Sequence, residues 1–466
     1  MNRISCLAVA LLSTVAVLNP GPLMAERVPL TRGEISMGFA PVVREATPAV
    51  VNIYARRVVQ TQSTPFANDP FFREFFRGFG QTRPQVQNSL GSGVVLSKDG
   101  IVVSNYHVVG QAEDIRVVLN DRREFRARVL LADADSDLAI LQIEDAPRNM
   151  AHLRLRDSDT VEVGELALAI GNPFGVGQTV SSGIVSGLAR SGTATGSARG
   201  YFIQTDAPIN PGNSGGALVD INGDLIGVNT SILTRSGGSN GIGFAIPASL
   251  VAQFVDQAQQ GFARFQRPWA GISGQEVDAA MAETLGMDRP GGVIISELHP
   301  QSPFRVAGLE VGDVVTAVDG MAVNTPPEMI YRMSVAGLGE RADVTFQRRG
   351  REKRARVDML NAPEDPPRDG LVTDRRTAIP GLAVQTLNPA VVAEMGLPTG
   401  LEGVVITDPG TLGARVGLRP GDVVQQINGI DIQTTAQLEE ALTDVGRRLD
   451  LGLIRGGQGM TLRLRL

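Results

Sequence analysis

The octapeptide Gly308-Leu309-Glu310-Val311-Gly312-Asp313-Val314-Val315 returns as Gly417-Leu418-Arg419-Pro420-Gly421-Asp422-Val423-Val424. A chain that spells one turn and strand entry twice must build the same local structure twice. Each copy is followed by a turn glycine, Gly320 or Gly429, and then by a helix-compatible stretch. Gly292-Val293-Ile294-Ile295 likewise mirrors Gly403-Val404-Val405-Ile406. Residues 267–466 therefore read as two copies of one small module, 267–360 and 377–466. The stretch 361–376 between them is rich in Pro, Asp and Arg, the composition of a linker with limited flexibility.

Upstream the texture changes. Residues 35–262 hold many short β-runs between glycine turns, among them Gly93-Val94-Val95-Leu96, Ile115 to Leu119, Asp137 to Ile143 and Tyr201 to Thr205. This density of short strands predicts β-barrels. Leu250, Val251, Phe254, Val255 and Ala258 then recur at helical spacing, so a helix is expected to close the domain before Gly261.

Three polar residues stand beside strand-like runs. His107 lies in Ser104-Asn105-Tyr106-His107-Val108-Val109, Asp137 opens Asp137-Leu138-Ala139, and Ser214 sits in Asn210-Pro211-Gly212-Asn213-Ser214-Gly215-Gly216. The order His, Asp, Ser is the one used by two-barrel serine proteases. Gly212 and Ser214 N–H groups are the expected oxyanion donors, with Asn213 shaping the turn between them. The chain has three histidines. His152 lacks acidic or nucleophilic company, and His299 precedes Pro300 in a turn, so both read as structural. No aspartate stands at Ala207-Pro208-Ile209-Asn210. Ile209 and Ile246 are expected to favour small aliphatic residues in the specificity pocket. No cofactor or metal is required by this chemistry.

These motifs resemble the HtrA/Deg family of serine proteases, most closely its two-PDZ periplasmic branch. The likeness is carried by Gly91-Ser92-Gly93, the His107 and Asp137 segments, Gly171-Asn172-Pro173-Phe174-Gly175, Gly212 to Gly216, Gly243-Phe244-Ala245-Ile246-Pro247 and the repeated module. The resemblance implies a mostly β chain: a chymotrypsin-like double-barrel protease domain over 26–262, then two PDZ domains. It implies His107 as general base, Asp137 as its orienting partner and Ser214 as nucleophile. It also implies action on unfolded or misfolded envelope proteins and their C-terminal peptides, trimers as the unit, and larger cages. In the first PDZ module it places the carboxylate-binding loop at Trp269-Ala270-Gly271-Ile272. In the second the matching segment is Gly381-Leu382-Ala383-Val384, with packing against another subunit as the alternative role. A peptide-binding chaperone with a silent protease fold is the second functional class, and chaperone activity can coexist with proteolysis.

Residues 1–25 read as a secretory signal peptide, with Arg3, the apolar stretch Cys6 to Leu18 and a cut after Ala25. The expected compartment is the periplasm, with no stable membrane span after processing. Cys6 is the only cysteine, so the processed chain would carry neither a thiol nor a disulfide. The net charge of -6 argues against nucleic-acid binding. The basic cluster Arg348, Arg349, Arg351, Lys353, Arg354 and Arg356 reads as a solvated strand and turn. Between about 57 and 88 lies a mostly polar stretch holding five phenylalanines in nine residues, Phe71 to Phe79. The resemblance matches it to a long regulatory loop. Docking near a neighbouring subunit's active site and folding onto its own barrel are both open for this island.

Overall fold

The computed structural model describes residues 38–59, 85–172, 177–191, 201–210, 212–232, 240–443, 445–446 and 448–465. The signal segment, the Phe71 to Phe79 island and residues 173–176 lie outside the described residues.

The first barrel is built from β1 (Val50–Val59), β2 (Gln85–Val95), β3 (Ile101–Ser104), β4 (Asp114–Val118), β5 (Glu124–Asp133) and β6 (Leu138–Ile143). It closes in the order β1-β2-β3-β6-β5-β4. The second comprises β7 (Leu166–Gly171), β8 (Thr179–Ser191), β9 (Tyr201–Thr205), β10 (Ala217–Val219), β11 (Leu225–Ile232) and β12 (Gly243–Pro247), closing as β10-β11-β12-β9-β8-β7. The double-barrel expectation holds. Leu138, Ala139, Ile140 and Leu141 are buried as a continuous run. Alternate residues of such a strand face opposite sides, so both sides must be covered. The helix Ala248–Gln259 packs on β5 and β6 from outside. It buries Leu250, Val251, Phe254 and Ala258, as their spacing predicts. Phe254 stacks on Phe265 at 4.0 Å, worth about 2 kcal/mol in buried apolar surface. Arg267 lies over the Phe265 ring and pairs with Asp133, while donating to Ser136 Oγ at 2.7 Å. The chain thus leaves the barrels beside Asp137.

The repeated module appears as two sheets. The first joins β13 (Ile272–Glu276), β14 (Val293–Leu298), β15 (Val314–Val318), β16 (Met321–Ala322), β17 (Arg341–Arg348) and β18 (Arg351–Asp358), with the helix Pro326–Ala336. The second joins β19 (Leu371–Val372), β20 (Ala383–Thr386), β21 (Val404–Asp408), β22 (Val423–Ile427), β23 (Ile430–Asp431), β24 (Arg448–Arg455) and β25 (Gln458–Arg465), with the helix Thr435–Thr443.

The repeated aspartates have a shared structural purpose. Asp313 accepts the Glu310 N–H at 2.8 Å and a two-pronged contact from Arg348 at 2.6 and 2.7 Å. Asp422 accepts the Arg419 N–H at 2.8 Å and both prongs of Arg455 at 2.6 Å. Both carboxylates are buried, so the turn and strand end are locked by a matched fork. Arg348 therefore differs from the solvated reading given to its cluster. Its partner stands 35 residues earlier, on the turn of the repeat.

The first module also rests against the second barrel. Tyr331, on the helix Pro326–Ala336, stacks on Tyr201 of β9 at 3.8 Å. Its neighbour Arg332 is buried, pairs with Asp159 and donates to the Tyr201 hydroxyl at 3.0 Å. Burial is the largest single influence and opposes the Arg332 charge, but the hydrogen bond Arg332 donates to Asp159, together with the attraction of Tyr201, Asp159 and Tyr331, holds the guanidinium above its ordinary range. Burial also drives the Tyr331 hydroxyl well above the usual phenol value.

Candidate active site

His107 lies on the one-turn helix Tyr106–Val109, directly after β3, and Asp137 directly precedes β6. These strands are paired, with Ser104 opposite Ala139, so the barrel register brings the two residues together. His107 Nδ1 lies 2.9 Å and 2.8 Å from the two oxygens of Asp137. The same carboxylate accepts the His107 backbone N–H at 3.0 Å.

Asp137 adopts a left-handed backbone, φ +52°. Such a conformation in a non-glycine residue needs support from its surroundings. Asn105 supplies it, donating Nδ2–H to the Asp137 carbonyl at 2.9 Å, and the Tyr106 N–H adds a second bond at 3.1 Å. The residues flanking His107 thus set the backbone that aims Asp137.

Ser214 sits in the loop before β10. Its hydroxyl donates to the Thr230 carbonyl at 3.1 Å. Thr230, on β11, donates its own hydroxyl to Asp137 Oδ2 at 2.6 Å. The serine loop is packed too tightly for side chains beyond it. A Cβ on Gly215 would lie 2.1 Å from the Ser92 carbonyl, and one on Gly216 would lie 2.3 Å from the Ile170 carbonyl. Gly212 has φ +97°, open to glycine but strained for other residues. Its carbonyl accepts the Ser92 hydroxyl at 2.7 Å, while the Asn213 N–H donates to Asn210 O at 3.0 Å. The peptide between 212 and 213 is therefore held from both sides. Among the described residues, neither the Gly212 nor the Ser214 N–H meets a protein acceptor.

The structure brings His107, Asp137, Gly212, Asn213 and Ser214 into one place and scatters others. Ile209 is buried in the second barrel, where a Cβ on Gly243 would strike its side chain at 2.7 Å. Ile246 belongs to a different cluster and lines a cavity with Tyr201, Phe202, Leu250, Arg267 and Tyr331. Trp269 packs edge-on against His299 at 5.2 Å, and Gly271 and Ile272 lead into β13. His152 contacts the Met150 carbonyl at 3.1 Å. Sequence reading passed over Thr230 and noted Ser92 only within a motif, with no role at the serine loop. A hydroxyl in a strand carries no signal of a partner across a barrel interface.

Two barrels with an imidazole-carboxylate pair on one and a glycine-framed serine on the other define a trypsin-like serine peptidase. Residues 91–228 match the trypsin-like peptidase domain family, and residues 266–359 and 407–455 match PDZ domain families. The chain is 35% identical to a probable periplasmic serine endoprotease DegP-like of Halomonas elongata, over 99% of this chain and 98% of that one. It is 35% identical to the periplasmic pH-dependent serine endoprotease DegQ of Escherichia coli K12, covering 92% and 91%. A solved HtrA-type protease AlgW with decapeptide superposes with a TM-score of 0.51 at 36% identity, covering 70% of this chain and 99% of that one. The chain belongs to the HtrA/Deg family, in its DegP/DegQ-like branch, and is a serine endopeptidase with two PDZ domains.

Proposed function

We propose that the chain degrades misfolded proteins of the bacterial envelope in the periplasm, with Ser214 as nucleophile, His107 as general base and Asp137 as the group that orients His107. The observation that carries this reading is the Asp137 carboxylate, with both oxygens on His107 Nδ1 and one on Thr230 beside the serine loop. An ionised carboxylate is acceptor-only, so these donors fix its position without competing protons.

For attack, the Ser214 hydroxyl turns from the Thr230 carbonyl toward His107 Nε2. The Oγ–carbon bond forms as the proton passes to the imidazole. Asp137 holds the tautomer and stabilises the imidazolium. The negative oxygen of the tetrahedral intermediate is received by the Gly212 and Ser214 N–H groups. The carbon–nitrogen bond breaks, the amine leaves with the His107 proton, and water then releases the acid.

Ile209 is the proposed wall of the pocket for small aliphatic residues. Ile246 joins the interdomain cavity and leaves the reading to Ile209. The first PDZ module captures substrate by strand addition along β13, with the loop Trp269 to Ile272 receiving a terminal carboxylate. A trimer is the proposed unit, with chaperone activity beside proteolysis.

The test compares casein cleavage by the purified chain and by Ser214→Ala. Turnover is expected to fall by several orders of magnitude while unfolded protein stays bound. Cleavage at the parent rate by the pure variant overturns the assignment of Ser214.

A further inference from the structure

The two PDZ modules differ at the edge that receives peptide. In the first, β13 pairs with β14, and no described strand lies on its other side. In the second, β20 pairs with β21 on one side and with β19 on the other. β19 comes from the stretch that links the modules, and runs antiparallel to β20 with Leu371 opposite Val384 and Val372 opposite Ala383. That is the place and direction of an added ligand strand.

The contacts continue along the groove. The Thr386 N–H donates to the Arg368 carbonyl at 2.7 Å. Thr435, opening the groove's helix, donates its hydroxyl to the Asp369 carbonyl at 2.9 Å. Leu371 packs on the module core that includes Leu438 and Leu442 of that helix, while Val372 faces solvent. The alternation is that of a strand lying in a groove. At the loop end, Thr373 takes the donors that a terminal carboxylate would use. Its carbonyl accepts the Gly381 N–H at 2.9 Å and its hydroxyl accepts the Leu382 N–H at 2.9 Å. The hydroxyl proton goes to the Ile379 carbonyl at 2.7 Å.

We propose that residues 368–373 are a built-in ligand of the second PDZ domain. The occupied groove takes an internal Leu-x-Thr segment, whose threonine replaces the carboxylate of a chain terminus. In the resting protein only the first domain accepts substrate peptides. The proposal rests on strand addition as the capture mode.

Hydrogen exchange on the full chain carrying Ser214→Ala tests it, with a decapeptide ending in three apolar residues as probe. The expected result is new protection at residues 272–276 and none at 381–386, which are protected already. A second chain also carrying Leu371→Asp and Thr373→Gly should exchange at least tenfold faster at 381–386. Those amides should regain protection when a synthetic peptide of residues 364–376 is added. Added protection at 381–386 by the decapeptide without these changes overturns the proposal. So does unchanged exchange there in the variant, or no gain from the synthetic peptide while β22 and β24 stay protected. Should the variant lose protection in β22 and β24, the parent chain's response decides the matter. Absence of protection at 272–276 instead counts against strand capture by the first domain.

Discussion

Thr230 Oγ lies 2.6 Å from Asp137 Oδ2 and ties β11 of the second barrel to the carboxylate that serves His107 in the first. The same residue's carbonyl accepts the Ser214 hydroxyl. One threonine thus holds the Asp137 carboxylate with its side chain and the Ser214 hydroxyl with its backbone.

Thr230→Val should keep the backbone contact and lose the hydroxyl. A hydrogen bond to a charged group is worth about 1.5–3 kcal/mol, so kcat/KM should fall roughly tenfold to a hundredfold. Thr230→Ser should restore most of it. Peptide cleavage by all three forms measures this. Equal rates for valine and threonine would mean that Asp137 needs no support from the second barrel.

Asp137→Asn should cost far more. The amide would present a donor where His107 Nδ1 needs an acceptor, favouring the wrong tautomer. A comparable triad loses about 10⁴ in turnover on this change. Steady-state turnover lowered by about 10⁴, with unchanged peptide binding by the first PDZ domain, is the expected pattern. Turnover within tenfold of the parent would show that another carboxylate serves His107.

The parts legible in the sequence were those whose chemistry is local. The glycines around Ser214 announce a crowded turn, and Gly215 and Gly216 indeed leave no room for a Cβ. The helix Ala248–Gln259 reads from its spacing because Leu250, Val251, Phe254 and Ala258 fall on one buried face. Contacts between distant segments left no such mark. Thr230 is 93 residues from Asp137, and Arg332 is 173 from Asp159. Leu371 and Val372 sit in a stretch with linker composition, and only the pairing with β20 gives them a strand's role. The apolar character of Ile246 likewise leaves open which side of β12 it faces, and only the structure places it beside Tyr201, Leu250 and Tyr331.

His299 should give the first PDZ domain a pH dependence. Burial holds its imidazole below the ordinary value of 6.5. Its Nδ1 accepts the Gln301 N–H at 3.1 Å, and Gln301 in turn donates to Asp365 at 3.0 Å. As pH falls through 6.5 the unfolded loop takes up a proton before the folded one. Stability is then complete above 6.5 and declines as pH drops. Hydrogen exchange at residues 299–303 should therefore quicken between pH 7 and 5, after correction for intrinsic rates. His299→Gln should flatten the response. An identical pH profile in the variant would assign the effect to other groups.

Arg332 and Asp159 should govern how firmly the first PDZ domain holds the barrels. Arg332 is 7% exposed, and its Nε lacks a partner among the described residues. Removing the Asp159 carboxylate leaves a buried guanidinium facing, among the described residues, the Tyr201 hydroxyl and the rings of Tyr201 and Tyr331. Stripping one partner from a buried pair costs about 3–5 kcal/mol, and less here because Asp159 is about a quarter exposed. The Tyr201–Tyr331 stack contributes only about 1 kcal/mol beyond its buried area, too little to offset that loss. Asp159→Ala should therefore release the domain, enlarging the scattering radius of the Ser214→Ala chain and opening the 326–336 helix to exchange. Asp159→Leu combined with Arg332→Met removes both charges and should keep the contact closed. A single variant with parental scattering and exchange would show that the tyrosine stack alone suffices. Release in the double variant as well would show that the pair supplies net attraction beyond avoiding an unpaired charge.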